Sequence, residues 1–392
     1  MPPHLQPLRP QPQAPWMART HPGHARSDRL KIFSGDGHFP PFLPKEVEKI
    51  EDPFVRILAK RIERIPVPVQ IGISNQVIMS SCVRSKPKPK NGIPVVLLHS
   101  FDSSCLEWRC AYPLLESVGL ETWAVDVLGW GFSDLETRPP CDVASKRLHL
   151  YTLWKLYIHK PMVLVGPSLG ASVAIDFAAH YPEAVEKLIL INPSVYAEGT
   201  GNLANLPESV AYAGVSLLKS KPLRLYANLL AFNNIPFHSI WDWTNVGRLH
   251  CLLPWWKHAT VSFMFSGGYN VKSYIKQITH KVLIISSEQD KIVNYKFAVK
   301  LHSELPNAII RKVSDSGHLP HVDNPDCVSK LIAEFAQRQE QVRGHLPHLH
   351  TPQLGQVRKH IQTPRLVLGA MKPVLVSRKC RDMVCRQSDI HT

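Results

Sequence analysis

From residue 93 onward, short runs of apolar residues recur at intervals that a helix can fill, and this alternation leaves few architectures open. The runs are Pro94–His99, Thr122–Asp126, Met162–Gly166, Leu188–Asn192, Val282–Ser286 and Ala308–Val313. Their apolar residues are contiguous instead of alternating with polar ones. That is the pattern of strands covered on both faces, hence of a mainly parallel sheet. Between them, Ser168 to His180 and Asn294 to Glu304 read as helices, and Asn324-Pro325 precedes a last helix to about Arg338. Ser104 and Glu107 read as a capping box that opens a helix through Leu115. Strand and helix in alternation give an α/β fold, a mostly parallel central sheet with helices on both faces. Upstream, Val67–Ile73 and Gln76–Arg84 fit an antiparallel pair at one sheet edge, with Lys86–Lys90 as the exposed link to the next strand.

One interval breaks the rhythm. Residues 195–280 show no clear alternation, yet hold 13 of the chain's 32 aromatic residues. They also carry seven Lys/Arg against three acids. An aromatic-rich insertion between two sheet strands reads as a helical cap over a cavity, although ordinary packed helices have the same composition. Trp241, Trp243, Trp255 and Trp256 are its candidate substrate-pocket residues. The expected organisation is a core of 46–194 and 281–340, a cap of 195–280, and two extensions. Residues 1–45 are Pro-rich and basic, a candidate transit segment, and residues 341–392 are basic and read as disordered.

The formal charge of +15 points toward nucleic acid until it is located. Residues 1–45 hold six Lys/Arg against two acids, and residues 341–392 hold nine against two. The middle holds 31 against 27, so the body is nearly neutral, and a nucleic-acid enzyme carries its basic patch on the folded domain. A nucleic-acid partner is therefore not expected. No apolar run approaches the roughly 18 residues that span a bilayer, and the N-terminus lacks the compact apolar stretch of a secretory signal. The eight cysteines are scattered, without zinc half-site spacing, which suits reduced thiols in an intracellular protein. No metal or cofactor is expected, since Gly129-Trp130-Gly131 lacks the dinucleotide fingerprint and suits tight turns instead.

The chemistry concentrates at Gly166-Pro167-Ser168-Leu169-Gly170, a G-x-S-x-G pattern. The pattern alone is weak, and a glycine-rich turn with no chemistry would also match it. Its setting matters more: it follows an apolar strand and opens a helix, the context of a nucleophile elbow. A serine needs a base, and the base an orienting carboxylate, in chain order Ser, acid, His. Asp290, just past Val282–Ser286, and His318, just past Ala308–Val313, lie at the carboxyl ends of strands, where open sheets place ligands. Glu288 and His321 are the rival acid and base.

With these residues in place, the chain resembles the α/β-hydrolase superfamily with a helical cap, over about residues 60–340. The matching features are His99 with Phe101, the Asp126–Ser133 segment, the elbow at Ser168, Asp290, and Gly317-His318. In detail it is similar to a plant, plastid-associated branch, which implies a chloroplast location, with the cytoplasm as the alternative. The resemblance implies an oxyanion hole from the backbone N–H groups of Leu169 and Phe101. It also implies a departure: the family usually has Gly after the histidine, where this chain has Ser100, which a positive φ would strain. Superfamily epoxide hydrolases and dehalogenases use an aspartate at the elbow, so Ser168 points instead to acyl transfer. The expected reaction is hydrolysis of a carboxylic ester or thioester of a small apolar or amphipathic molecule through an acyl-enzyme. A receptor-like protein with weak or no turnover is the alternative that Ser100 encourages.

Overall fold

The computed structural model describes residues 37–338, apart from 72–73, 86–91 and 234. The Lys86–Lys90 link lies outside the described residues, as do residues 1–36 and 341–392 of the two extensions. Eight strands form one sheet: β1 (Glu63–Ile71), β2 (Ser74–Arg84), β3 (Val95–Leu97), β4 (Thr122–Val125), β5 (Met162–Pro167), β6 (Val185–Ile191), β7 (Lys281–Ser287) and β8 (Ala308–Val313). Their spatial order is β1-β2-β4-β3-β5-β6-β7-β8. β1 and β2 pair antiparallel at one edge, β2 pairs antiparallel with β4, and every later pairing is parallel.

Successive residues of a strand point to opposite faces, and here both faces are covered. Leu164, Leu188, Leu190, Val282 and Ile284 belong to one core, with Ala174 and Phe177 of the helix Leu169–His180 and Ala298 and Leu301 of the helix Tyr295–Glu304. Val163, Val165, Ile189, Ile191, Leu283 and Ile285 belong to the other. That core includes Val55 and Leu58 of the helix Pro53–Ala59, Tyr112 and Leu115 of Tyr112–Ser117, and Val328 and Ile332 of Pro325–Gln337. The contiguous apolar runs in the sequence are this double burial. The second core also reaches back along the chain, since Leu43 is buried in it and Phe39 and Phe42 pack against it.

One local expectation changes. The capping box does not form: Ser104 makes no side-chain cap, a 3-10 turn covers Cys105–Trp108, and the helix starts only at Tyr112. Glu107 is buried and spends its oxygens elsewhere, as described below, while the Cys105 N–H donates to Asp126 Oδ1 at 2.6 Å. Residues 195–280, expected to be helical, contain the helices Glu208–Leu218, Lys221–Ala231, Phe237–Leu249, Trp256–Phe265 and the short Lys272–Ile275, all between β6 and β7. Among the described residues, Cys82, Cys105, Cys141 and Cys251 are free thiols.

Candidate active site

Parallel pairing brings the carboxyl ends of β3, β5, β6, β7 and β8 to one edge of the sheet, and the loops that leave this edge carry the site. Ser168 lies between the end of β5 and the helix Leu169–His180, at φ 51° and ψ −116°. A side chain at such a positive φ is strained by about 1–3 kcal/mol and must be held by its surroundings. The Ser168 N–H donates to the Ile191 carbonyl at 2.8 Å, and the Ser168 carbonyl accepts from the Ser194 N–H at 3.2 Å. The flanking glycines are demanded by close approach. A Cβ on Gly166 would lie 2.1 Å from the Gly170 carbonyl oxygen, and one on Gly170 2.7 Å from the His99 carbonyl oxygen. The elbow therefore packs directly against the loop that follows β3. Leu169 is the first residue of the helix, where N–H groups have no intrahelical acceptor.

His318 follows β8. Its Nε2 is 2.8 Å from Ser168 Oγ and its Nδ1 is 2.9 Å from Asp290 Oδ2. The other carboxylate oxygen of Asp290 accepts the N–H groups of Ile292 at 2.7 Å and Val293 at 2.9 Å. An ionised carboxylate only accepts, so Nδ1 carries the ring proton and Nε2 is left to accept from the serine hydroxyl. Ser168, His318 and Asp290 thus form one continuous hydrogen-bonded chain. The rivals go elsewhere. Glu288 is exposed and 3.1 Å from Lys312 Nζ, while His321 is fully buried with Nε2 3.0 Å from Glu107 Oε1 and its ring stacked on Trp108 at 4.4 Å.

The loop after β3 differs from expectation at Ser100. Serine there would be strained by a positive φ, but the left-handed residue of the loop is Asp102, at φ 49°. Ser100 is instead fastened: its N–H donates to both oxygens of Glu107 at 3.2 Å, and its hydroxyl donates to Oε2 at 2.5 Å. Burial alone would raise the Glu107 carboxyl, but the hydrogen bonds from His321 and Ser100 outweigh it and hold it at about 2. His99 is fixed too, with Nε2 accepting from the Val127 N–H at 3.0 Å and Nδ1 donating to the Ser100 carbonyl at 2.7 Å. Phe101 is 42% exposed and meets Trp130 edge-on at 5.3 Å between ring centroids.

Three positioning groups were not readable in the sequence. Asn192, at the end of β6, accepts the Ser287 N–H at 2.9 Å and donates to the carbonyls of His318 at 2.8 Å and Gly317 at 3.2 Å. The only hint was a lone amide at a strand's carboxyl end, where no acid stood. Asp323 accepts the Gly317 N–H at 2.6 Å. Ala231, at the end of the helix Lys221–Ala231, accepts the His318 N–H at 2.6 Å. This carbonyl comes so close that a Cβ on Gly317 would lie 2.4 Å from it.

The four tryptophans separate. Trp243 lines a cavity of about 190 Å³ that Ser100, Phe101 and Leu319 also line, so it borders the loop after β3 and the residue next to His318. The side chains of Ser168, His318 and Asp290 are not among its walls. Trp256 is buried and donates to Asp102 Oδ1 at 2.7 Å. Trp255 packs against the core, with Arg64 over its ring at 5.9 Å, and Trp241 is 42% exposed with Lys221 over its ring at 5.2 Å. Trp241, Trp255 and Trp256 are all absent from the wall of this cavity.

Among the described residues, Asp102, His250 and Cys251 are the group whose donor atoms lie close enough together for a metal ion. The donor set does not fit one. The Arg224 guanidinium already bonds Asp102 and lies 2.9 Å from Cys251 Sγ, and burial keeps the Cys251 thiol protonated. The same guanidinium, with His250 and Trp256, overcomes the effect of burial and holds the Asp102 carboxyl at about 2.

A family model described as "Alpha/beta hydrolase family" matches residues 95–331, more than half of the chain. The Arabidopsis thaliana protein "Alpha/beta hydrolase domain-containing protein VTE7" is 63% identical over 303 residues, which cover 77% of this chain and 92% of that protein. The Bos taurus protein "Monoacylglycerol lipase ABHD6" is 24% identical, over 65% of this chain and 78% of its own length. Among solved structures, a thermophilic esterase from Thermogutta terrifontis superposes with a TM-score of 0.57 at 18% identity, covering 70% of this chain and 97% of the esterase. The carboxylesterase CesB of Bacillus subtilis gives 0.54 at 18% identity, over 74% and 96%. At such identities the structures speak for the fold.

Proposed function

The chain belongs to the alpha/beta hydrolase family, and on that footing we propose that it is a serine hydrolase cleaving a carboxylic ester or thioester of a small apolar or amphipathic molecule. The observation that carries this reading is the unbroken chain from Ser168 Oγ through the His318 ring to Asp290, at 2.8 and 2.9 Å, with the serine held on a strained elbow. In the proposed reaction, His318 Nε2 takes the hydroxyl proton as Ser168 Oγ bonds to the carbonyl carbon. Asp290 holds the ring and stabilises its positive charge. The backbone N–H groups of Leu169 and Phe101 receive the oxyanion. As the tetrahedral species collapses, the bond to the alkoxide or thiolate breaks and His318 returns the proton to the leaving group. Water then gives a proton to His318 as its oxygen bonds to the acyl carbon; the bond from Ser168 Oγ to that carbon breaks, His318 returns the proton to Oγ, and the acid is released.

The 195–280 insertion serves as the lid in this reading, and its cavity supports an apolar group of the substrate, since Leu223, Phe232 and Trp243 form part of the wall. No helix among the described residues is long and apolar enough to cross a membrane. A chloroplast location is part of the proposal, supported by the 63% identity to a plant protein and by the basic, acid-poor first 27 residues. Fusing residues 1–45 to a fluorescent protein tests the location, and a reporter that stays in the cytosol refutes it. The activity is tested with nitrophenyl esters from acetyl to palmitoyl and the matching coenzyme A thioesters, with Ser168→Ala as control. Hydrolysis that Ser168→Ala abolishes is expected. Folded protein that cleaves none of them, or a Ser168→Ala variant as active as the parent, refutes the reading.

A further inference from the structure

Asp102 follows the proposed oxyanion donor Phe101 directly, and three elements of the insertion bond to it. Oδ1 accepts from His250 Nε2 at 2.9 Å and from Trp256 Nε1 at 2.7 Å. Oδ2 accepts from the Arg224 guanidinium, whose Nη1 is also 3.5 Å from the Asp102 carbonyl oxygen. Arg224 is itself fixed from behind, Nε donating to the Leu218 carbonyl at 2.9 Å and Nη2 lying 2.9 Å from Cys251 Sγ. Asp102 is 7% exposed, His250 1% and Trp256 2%, and the Arg224 side chain is half-buried at 14%.

From this geometry we propose that Asp102 is a positioning residue, a latch through which Arg224, His250 and Trp256 hold the peptide bearing the Phe101 N–H in register with the elbow. The inference rests on the serine-hydrolase reading for its catalytic consequence, though not for the structural one. An oxyanion donor works only within about 2.7–3.1 Å of the developing charge, and a misplacement of about 1 Å costs about 10²-fold in rate. The Phe101 ring is a weak anchor, being 42% exposed. The neighbouring carboxylate, in contrast, meets three donor atoms on three parts of the chain. Asp102 also adopts φ 49°, a turn that most side chains resist and that aspartate tolerates better than most. The backbone at this turn is thus held by the bonds that its side chain makes.

The latch has a second end. The helix Lys221–Ala231 carries Arg224 near its start, and at its finish the Ala231 carbonyl accepts the His318 N–H at 2.6 Å. One helix of the insertion therefore touches both the loop that would bind the oxyanion and the loop that carries the base. Arg224 fills the space between Asp102 and Cys251, which removes a metal ion as the reason for the cluster.

The test uses two variants that act on opposite sides of the latch. Asp102→Gly keeps the positive φ without strain and deletes the carboxylate. Trp256→Phe keeps an aromatic ring and deletes one donor without touching the loop. Two readouts are taken on full-length protein: kcat and KM for an ester that the parent hydrolyses, and hydrogen exchange of peptides covering residues 98–108. Asp102→Gly is expected to lower kcat by about 10²-fold with little change in KM, and Trp256→Phe by a smaller factor. Both should speed exchange in that peptide while leaving peptides over β5 and β7 unchanged. Unaltered exchange at 98–108 in both variants overturns the latch. Faster exchange with unchanged kcat confines it to packing and overturns the positioning role. A parent without turnover refutes the hydrolase reading and the catalytic role together, and the exchange result then decides whether Asp102 fixes the loop.

Discussion

Replacing His321 by phenylalanine isolates one interaction in the site's scaffold. The phenyl ring keeps the stack on Trp108, at 4.4 Å in the parent, and removes only the Nε2 donor that meets Glu107 at 3.0 Å. Glu107 is left buried with Ser100 as its remaining hydrogen-bond partner in this network. A carboxyl held at about 2 instead of 4.5 is worth about 3 kcal/mol at neutral pH, and removing one partner of a buried pair costs about 3–5 kcal/mol. The expected loss for His321→Phe is therefore about 3 kcal/mol, read as a shift in the urea midpoint at pH 7. His321→Gln, which keeps an N–H donor, should lose less. The pH dependence has a fixed sign. Because the folded carboxyl lies below its unfolded value, its stabilisation is complete above about 4.5 and fades as the pH falls from there toward 2. The gap between parent and variant should narrow over that window. In a Glu107→Gln background the same substitution should cost under about 1 kcal/mol, since no buried charge is stranded. A loss under about 1 kcal/mol in the parent background, or an equal loss in both backgrounds, refutes the reasoning.

Other substitutions separate the parts of the site. Asp290→Asn should retain the turn through Ile292 and Val293 but lower kcat by about 10⁴-fold, because the amide no longer enforces the ring tautomer; steady-state ester hydrolysis measures it. Asn192→Ala removes bonds to Ser287 and to the His318 and Gly317 carbonyls, so thermal unfolding should show a loss of about 1–3 kcal/mol, with a fall in kcat. Lys146 is fully buried, its Nζ 3.9 Å over the Trp130 ring, and burial brings its pKa from 10.5 down to about 8. A lowered amine weighs against folding below pH 8 and is relieved as the pH rises from 8 to 10.5. Relative to Lys146→Met, the parent should therefore gain up to about 3 kcal/mol between pH 7 and 10.5 in denaturant titrations.

The legible part of the molecule was local. Contiguous apolar runs marked the parallel strands because both faces of the sheet are covered, and Gly166, Ser168 and Gly170 marked the elbow because only small residues fit its close approaches. What escaped depends on contacts remote in sequence. Glu107 stands three residues after Ser104, as in a capping box, yet its partner is His321, 214 residues away. Nothing in the sequence singles out Asp102, since its partners Arg224, His250 and Trp256 stand 122, 148 and 154 residues further along the chain. For the same reason, aromatic content announced the insertion without telling Trp243, on the cavity wall, from the exposed Trp241.

The central claim is that Ser168 is a nucleophile activated by His318. A fluorophosphonate probe with intact-mass and peptide analysis tests it most directly. The account predicts one adduct per chain, located on Ser168, retained in His321→Phe and lost in Ser168→Ala and His318→Ala. Folded protein that takes up no probe, or an adduct that survives Ser168→Ala, would contradict it.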